Sequence, residues 1–362
     1  MEHRDYRDRL WRAKAAILCV TLACLLGTCR RIDAEKRDHL YIPHAESELD
    51  NWPNYRSQNC LFSSSGMNAS IYSEHKSRIL IKLSAIAYCD SQVIQSWNCT
   101  ACNRGVFSQV TAQDVAVFTT NTLLISPIQA YVVMFEGFGK HMELRSDEND
   151  GTDVVMRSES GEGGGMQTDI AIAFRGTADI SDWLVNLDIY RTKYETLAND
   201  CDDCYVHSGF LDAWNDLKEE ISSHISNVTS TFFDGNNTNR CNKTIGIHVT
   251  GHSLGAAIAI LAAADLEQGS MNRSLSVENP DIQFKLESIY TYGSPRVGNK
   301  NFAEWFNNHT NAETNRIVHY KDIVPHVPFT DEGYHHTVML MKTLLITISL
   351  HALTSSSNLN EK

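Results

Sequence analysis

The chain has 362 residues, 42% of them hydrophobic and 21% charged, which is enough apolar material for a full buried core. Its 44 acidic against 31 basic side chains give a formal net charge of −13. That balance excludes nucleic acid as a partner, because binding phosphate needs a basic surface. It selects no substrate.

In chain order, Arg7, Arg9, Arg12 and Lys14 lead into an apolar and small-residue run over 15–29. That run is short for a bilayer-spanning helix and matches the h-region of a signal peptide. Gly27 and Cys29 are small enough for a cleavage site. Residues 1–29 therefore read as a signal peptide, with a signal anchor as the alternative. The expected location is secreted or extracellular, or else anchored in the membrane by that segment. Residues 30–75 are polar and irregular, 76–353 form the main domain, and 354–362 are a polar tail.

Within the main domain, 78–89 reads as a helix with Ile79, Leu80, Leu83, Ile86 and Ala87 on one side. Residues 130–135 are an apolar strand, and 140–144 a candidate partner for it. Residues 145–167 are acidic and glycine-rich, ending in Gly163-Gly164-Gly165, and read as a flexible surface insertion. Residues 169–174 are a buried strand. Residues 210–228 are an amphipathic helix with Leu211, Trp214, Leu217, Ile221 and Ile225 facing inward. Strands at 245–250, 284–292 and 317–320 alternate with helices at 256–266 and 301–308. Strands alternating with helices predict an α/β fold around one central sheet.

Three of the ten cysteines lie in the targeting segment. The other seven are Cys60, Cys89, Cys99, Cys102, Cys201, Cys204 and Cys241. Cys99/Cys102 and Cys201/Cys204 are C-x-x-C pairs. They lie far apart in sequence, on a chain that reads as exported, so local disulfides are expected rather than zinc. No metal and no cofactor are expected. Asn-x-Ser/Thr sequons at Asn68, Asn98, Asn227, Asn236, Asn242, Asn272 and Asn308 agree with an exported glycoprotein.

The most informative residues are Gly251-His252-Ser253-Leu254-Gly255. A G-x-S-x-G pattern alone is common by chance. Here a strand precedes it and a helix follows it, which puts Ser253 on a sharp strand-to-helix turn with its Oγ lifted above the sheet edge. The helix N-terminus behind it points N–H groups at a developing oxyanion. A serine nucleophile needs a base, and the base an orienting acid. Asp322, after the last strand, is the candidate acid; a plain turn aspartate is the alternative. The oxyanion donors would be Leu254 and Thr177, the latter after Phe174-Arg175-Gly176.

Five ordered segments carry a family resemblance. They are Ala173-Phe174-Arg175-Gly176-Thr177, Val206-His207-Ser208-Gly209-Phe210, the Gly251–Gly255 elbow, Tyr292-Gly293-Ser294-Pro295-Arg296-Val297-Gly298-Asn299 and Asp322-Ile323-Val324-Pro325-His326. With them the chain resembles the class 3 lipases, the fungal-type triacylglycerol lipase family, over roughly 79–337. The resemblance implies an α/β-hydrolase fold with a central, mostly parallel sheet. It implies Ser253 as nucleophile, Asp322 as acid, and Thr177 and Leu254 as oxyanion donors. It also implies a lid helix over 180–184, with Ile180 and Trp183 in it. Cys201 and Cys204 sit where related lipases have a local disulfide.

The C-terminus departs from the family. The catalytic histidine of the family lies near the domain end, before a Leu-aromatic segment, and no such segment follows Asp322 here. His351 is the first candidate for the base, because it lies latest in the chain. His336 is the second, because its loop closely follows Asp322. In relatives, a cysteine at the position of Cys89 bonds to one near the C-terminus, and here it lacks that partner. Both departures imply a shortened or altered C-terminus, or a form lacking its base.

The expected function is a secreted serine ester hydrolase acting on acylglycerols at a lipid–water interface through an acyl-enzyme at Ser253. The alternatives are a feruloyl esterase or phospholipase on the same fold, or a catalytically impaired lipid-binding form.

Overall fold

The computed structural model describes residues 72–102, 105–120, 127–136, 142–147, 151–156, 168–177, 180, 183–184, 187, 189–195, 201–235, 243–279, 282–319 and 322–337. The targeting segment, the polar tail and His351 lie outside the described residues.

The first helix, α1 (Glu74–Ile86), begins before its predicted start because Ser73 caps it, accepting from the Lys76 N–H at 3.3 Å. Ile79, Leu80, Leu83 and Ile86 are its buried face, as their spacing requires. The sheet holds α1 by polar contacts as well. Tyr131 donates to the Leu83 carbonyl at 2.8 Å, Tyr292 to the Ser77 carbonyl at 2.6 Å, and Ser84 Oγ lies 2.8 Å from Thr250 Oγ1. A short helix, α2 (Ser91–Gln95), follows.

The main sheet has six strands in the order β1-β2-β5-β8-β9-β10. They are β1 (Val115–Thr119), β2 (Gln129–Glu136), β5 (Thr168–Phe174), β8 (Lys243–His252), β9 (Ile282–Tyr292) and β10 (Glu313–Ile317). β1 and β2 run antiparallel to their neighbours, and the four strands from β5 to β10 are mutually parallel. Parallel strands covered on both faces read as apolar runs, and every residue of β5 is buried. This is the mostly parallel, helix-flanked sheet of the α/β-hydrolases.

One pairing differs from expectation. Residues 140–144 do not pair with 130–135, because β2 has β1 on one edge and β5 on the other. Instead β3 (Met142–Asp147) pairs with β4 (Gly151–Met156) in a separate antiparallel hairpin. The acidic, glycine-rich stretch thus contains regular structure where only a flexible insertion was expected. A second two-stranded ribbon joins β6 (Arg191–Lys193) to β7 (Tyr205–His207).

The central helix, α4 (Leu254–Gln268), is buried from Leu254 through Leu266. It is apolar on all sides, which suits a helix enclosed by protein. The long helix α3 (Ser208–Gly235) packs on it. There the Trp214 indole N–H donates to Asp265 Oδ2 at 2.6 Å, with Lys218 Nζ 3.8 Å from the same oxygen. Both Trp214 and Asp265 are fully buried. Removing a donor from a buried carboxylate costs about 1–3 kcal/mol. Trp214→Phe is therefore expected to lower unfolding stability by about that amount, read from the urea midpoint; an unchanged midpoint would contradict this role. Helices α5 (Ser270–Glu278) and α6 (Lys300–His309) complete the layers.

Cys99 is bonded to Cys102 after α2, and Cys201 to Cys204 just before β7. Among the described residues Cys89 is bonded to no other cysteine. Among the described residues no group of His, Cys, Asp and Glu is placed to hold a metal, and no helix is long and apolar enough to cross a membrane. Trp183 is half-buried and Leu184 buried, both in helical conformation.

Candidate active site

The strand register brings several chain turns to one edge of the sheet. Phe174 pairs with Gly251, His252 with Tyr292, and Tyr292 with Ile317. The segments that leave β5, β8 and β9 at this level are Arg175-Gly176-Thr177, Ser253 and Gly293. All lie at the carboxyl end of parallel strands, where open α/β sheets place their ligands.

Ser253 joins β8 to α4 with φ 57° and ψ −126°. An L-residue avoids this conformation, at a cost of order 1–3 kcal/mol, and keeps it only where the surroundings enforce it. Here the Ser253 N–H donates to the Tyr292 carbonyl and the Ala256 N–H to the Ser253 carbonyl, each at 2.9 Å. Close approach explains the flanking glycines: a Cβ on Gly251 would strike the Gly255 carbonyl, and one on Gly255 the Phe174 carbonyl. Ser253 is 1% exposed, and among the described residues its Oγ has no hydrogen-bond partner. An uncompensated buried hydroxyl costs stability, so one at a strained turn marks a site shaped for something other than folding.

Leu254 is the first residue of α4, so its N–H is one of the donors a helix leaves unpaired at its N-terminus. Across from it, a Cβ at Gly176 would stand 3.2 Å from Ser253 Cβ, so the 175–177 loop runs beside the serine. Thr177 follows in that loop, half-buried. Ile180 is half-buried and helical.

Asp322 reaches the same edge. Its Oδ1 accepts from the Val324 N–H at 3.0 Å. Its Oδ2 points at Gly293, 2.6 Å from where a Cβ would stand, and that same point is 3.7 Å from His252 Nε2. Gly293 has φ +59°, so both its backbone and the space above it require glycine. Among the described residues Oδ2 accepts no hydrogen bond. Burial pushes the Asp322 carboxyl above the ordinary carboxylate range, opposed by the Val324 N–H and the nearby His319.

His336 is occupied elsewhere. Its Nε2 lies 2.8 Å from the Pro325 carbonyl and 3.3 Å from Arg316 Nη1. Burial, then the Arg316 and Arg296 charges, hold its pKa well below the usual imidazole range. Two side chains to which the sequence assigned no role stand at the site. His252 Nδ1 lies 2.8 Å from the Tyr88 hydroxyl, and burial lowers the His252 pKa to about 4. His252 lies within the elbow and was legible there, whereas nothing local pointed to Tyr88.

A second Ser-His-Asp grouping sits inside the sheet. Ser288 Oγ is 2.7 Å from His248 Nδ1, and His248 Nε2 is 3.5 Å from Asp169 Oδ1. The three stand on adjacent strands, each at most 2% exposed. Buried inside the sheet, away from its carboxyl edge, this group packs polar side chains of three strands together and is not placed to meet an ester.

Residues 171–332 match the family model described as lipase (class 3). The secreted mono- and diacylglycerol lipase 1 of Fusarium solani is 31% identical over 229 residues, which is 62% of this chain and 58% of that protein. A lipase of Rhizopus niveus is 30% identical over 263 residues, 70% of this chain and 50% of that one. The chloroplastic phospholipase A1-Igamma2 of Arabidopsis thaliana is 32% identical over 186 residues, 47% and 33% of the two chains. The chain thus spans about half the length of the first two relatives and a third of the last. Among solved structures, the triacylglyceride lipase of Rhizomucor miehei is 26% identical, covering 73% of this chain and 79% of that one, with a TM-score of 0.46. All five ordered motifs fall inside the matched span, and over that span the chain is similar to the class 3 lipases.

Proposed function

We propose that the chain is a secreted serine ester hydrolase that acts on acylglycerols at a lipid–water interface. One observation carries the reading: Ser253 is held at φ 57° on a strand-to-helix turn, with its Oγ buried and, among the described residues, unpartnered. The substrate class rests on the likeness to the class 3 lipase family and on relatives named as mono- and diacylglycerol lipase and lipase. Export rests on the N-terminal h-region and on the secreted relative.

Ser253 Oγ attacks the ester carbonyl carbon, and the Leu254 and Thr177 N–H groups hold the oxyanion. The alcohol leaves with the proton taken from Ser253, and water then clears the acyl-enzyme. An imidazole carries that proton, with Asp322 Oδ2 behind it to orient and stabilise the imidazolium. His351 is the first assignment for that imidazole. Among the described residues Asp322 Oδ2 accepts no hydrogen bond and His336 is engaged elsewhere, which supports a second reading, a form that binds lipid but hydrolyses it slowly.

Hydrolysis of p-nitrophenyl esters from acetyl to palmitoyl, and of a phospholipid, with and without added imidazole, separates these readings. A rate that ignores imidazole and is lost in His351→Ala assigns the base to His351. A slow rate that free imidazole raises, with His351→Ala no different from the parent, identifies the impaired form. A chain inert to every ester even with imidazole sinks the hydrolase reading. Preference for the phospholipid over acylglycerols would replace the substrate assignment.

A further inference from the structure

Tyr88 lies just beyond the end of α1, distant in sequence from every motif of the site, yet three separate contacts tie it there. Its hydroxyl is 2.8 Å from His252 Nδ1, next to the nucleophile, across a separation of 164 residues. A Cβ on Gly176 would collide with that hydroxyl and would stand 2.5 Å from the His252 carbonyl. The 175–177 loop is thus packed between Tyr88 and the elbow. The Arg175 guanidinium stands 6.0 Å from the centre of the Tyr88 ring, within cation–π range.

The peptide that carries Tyr88 is fixed by the residue that fixes the loop. The buried Gln129 side chain donates to the Ala87 carbonyl at 2.9 Å and the Cys89 carbonyl at 3.0 Å, one on each side of Tyr88. The Gln129 backbone carbonyl in turn accepts from the Arg175 N–H at 2.8 Å. Gln129 therefore holds Tyr88 and the start of the loop in one frame.

The direction of the hydroxyl bond follows from chemistry. Burial raises the Tyr88 phenol above its ordinary pKa, with the Gly176 N–H and Arg175 opposing. Burial also keeps His252 neutral. Between a neutral phenol and a neutral imidazole, the phenol is the stronger donor and the imidazole nitrogen the stronger acceptor. Tyr88 therefore donates to Nδ1, and the imidazole proton sits on Nε2, on the side facing Gly293 and Asp322.

We propose that Tyr88 is a positioning residue whose hydroxyl, through the Nε2–H tautomer of His252 and the close-packed Gly176, sets the 175–177 loop against the nucleophile elbow. The proposal rests on the reading of that loop as the oxyanion site. Donors aimed at an oxyanion act through placement, and a displacement of about 1 Å costs roughly 10²-fold in rate. Loss of the hydroxyl leaves Ser253 in place but frees the loop that faces it.

The test uses the full secreted chain. In Tyr88→Phe, which keeps the ring on Arg175, kcat for a soluble ester is expected to fall roughly 10–100-fold with KM little changed. Nitrogen-15 NMR of the parent should report His252 as the Nε2–H tautomer, and the same signals should shift toward a tautomer mixture in Tyr88→Phe. Substitution of Tyr88 that changes neither kcat nor the His252 signals overturns the proposal. So does an Nδ1–H tautomer in the parent, a measurement that needs neither turnover nor a folded variant. Ser253→Ala retaining full hydrolysis would instead overturn the hydrolase reading, and leaves the tautomer result standing by itself.

Discussion

Ser253→Ala is expected to lower ester hydrolysis by about 10⁶-fold in kcat, measured with an imidazole base supplied by the chain or in solution. In the proposed mechanism this hydroxyl is the group that forms the acyl-enzyme. Removing it leaves only the oxyanion donors and substrate binding, a residual of roughly 10³–10⁴ over water. The same change should not weaken the fold. Ser253 Oγ is buried and without a hydrogen bond among the described residues, so its loss removes an unmet polar group. Alanine meets the same backbone strain at φ 57° as serine. Initial rates on tributyrin, with a thermal melt on each variant, check both halves. A variant that turns over like the parent removes Ser253 from the mechanism.

Asp322→Asn is expected to move activity and stability in opposite directions. Activity should fall by about 10⁴-fold, because an amide holds the wrong imidazole tautomer and cannot stabilise the imidazolium. Stability at neutral pH should rise. Burial raises the Asp322 pKa above its unfolded value, so the folded chain binds this proton more tightly than the unfolded chain does. The contribution to stability is complete below the unfolded pKa and is lost as pH rises through the folded one. At pH 7 the ionised carboxylate is therefore a burden on the fold, which the neutral amide lifts. The proposed mechanism uses the ionised form, so in the parent the acid limb of the rate profile should lie above that of an ordinary aspartate. A melting temperature that falls in Asp322→Asn at pH 7 would contradict the argument.

What the sequence discloses and what it hides divides along contact distance. Apolar runs at 169–174 and 245–250 announced buried parallel strands, and the adjacent turn announced Ser253 and Leu254, because each signal is local. β1 escaped notice: it is five residues long, with mixed burial. The partners of β2 were misjudged because nearness in sequence favoured 140–144, while the actual pairing skips the β3/β4 hairpin and reaches 168–174. The disposition of His336 depends on Arg316 and Pro325, and no spacing rule links those three. Gln129 and Tyr88 look like an ordinary strand-edge polar residue and a helix-end aromatic. Their importance appears only when contacts across 40, 42 and 164 residues are drawn.

The docking of α1 has a consequence for how the molecule is made. Its bonds from Ser73 and Ser77 run to Tyr290 and Tyr292, across 217 and 215 residues. A ribosome adds roughly 5–20 residues per second, so α1 emerges early and then waits tens of seconds for the strand that receives it. Meanwhile its face of Ile79, Leu80, Leu83 and Ile86 has no sheet to cover it, and offers a natural target for chaperones. Tyr88 trails that helix and settles only with it. Catalytic competence should therefore arrive late in synthesis, and nascent chains released before residue 292 should be protease-sensitive and inactive even though they already carry the entire serine elbow.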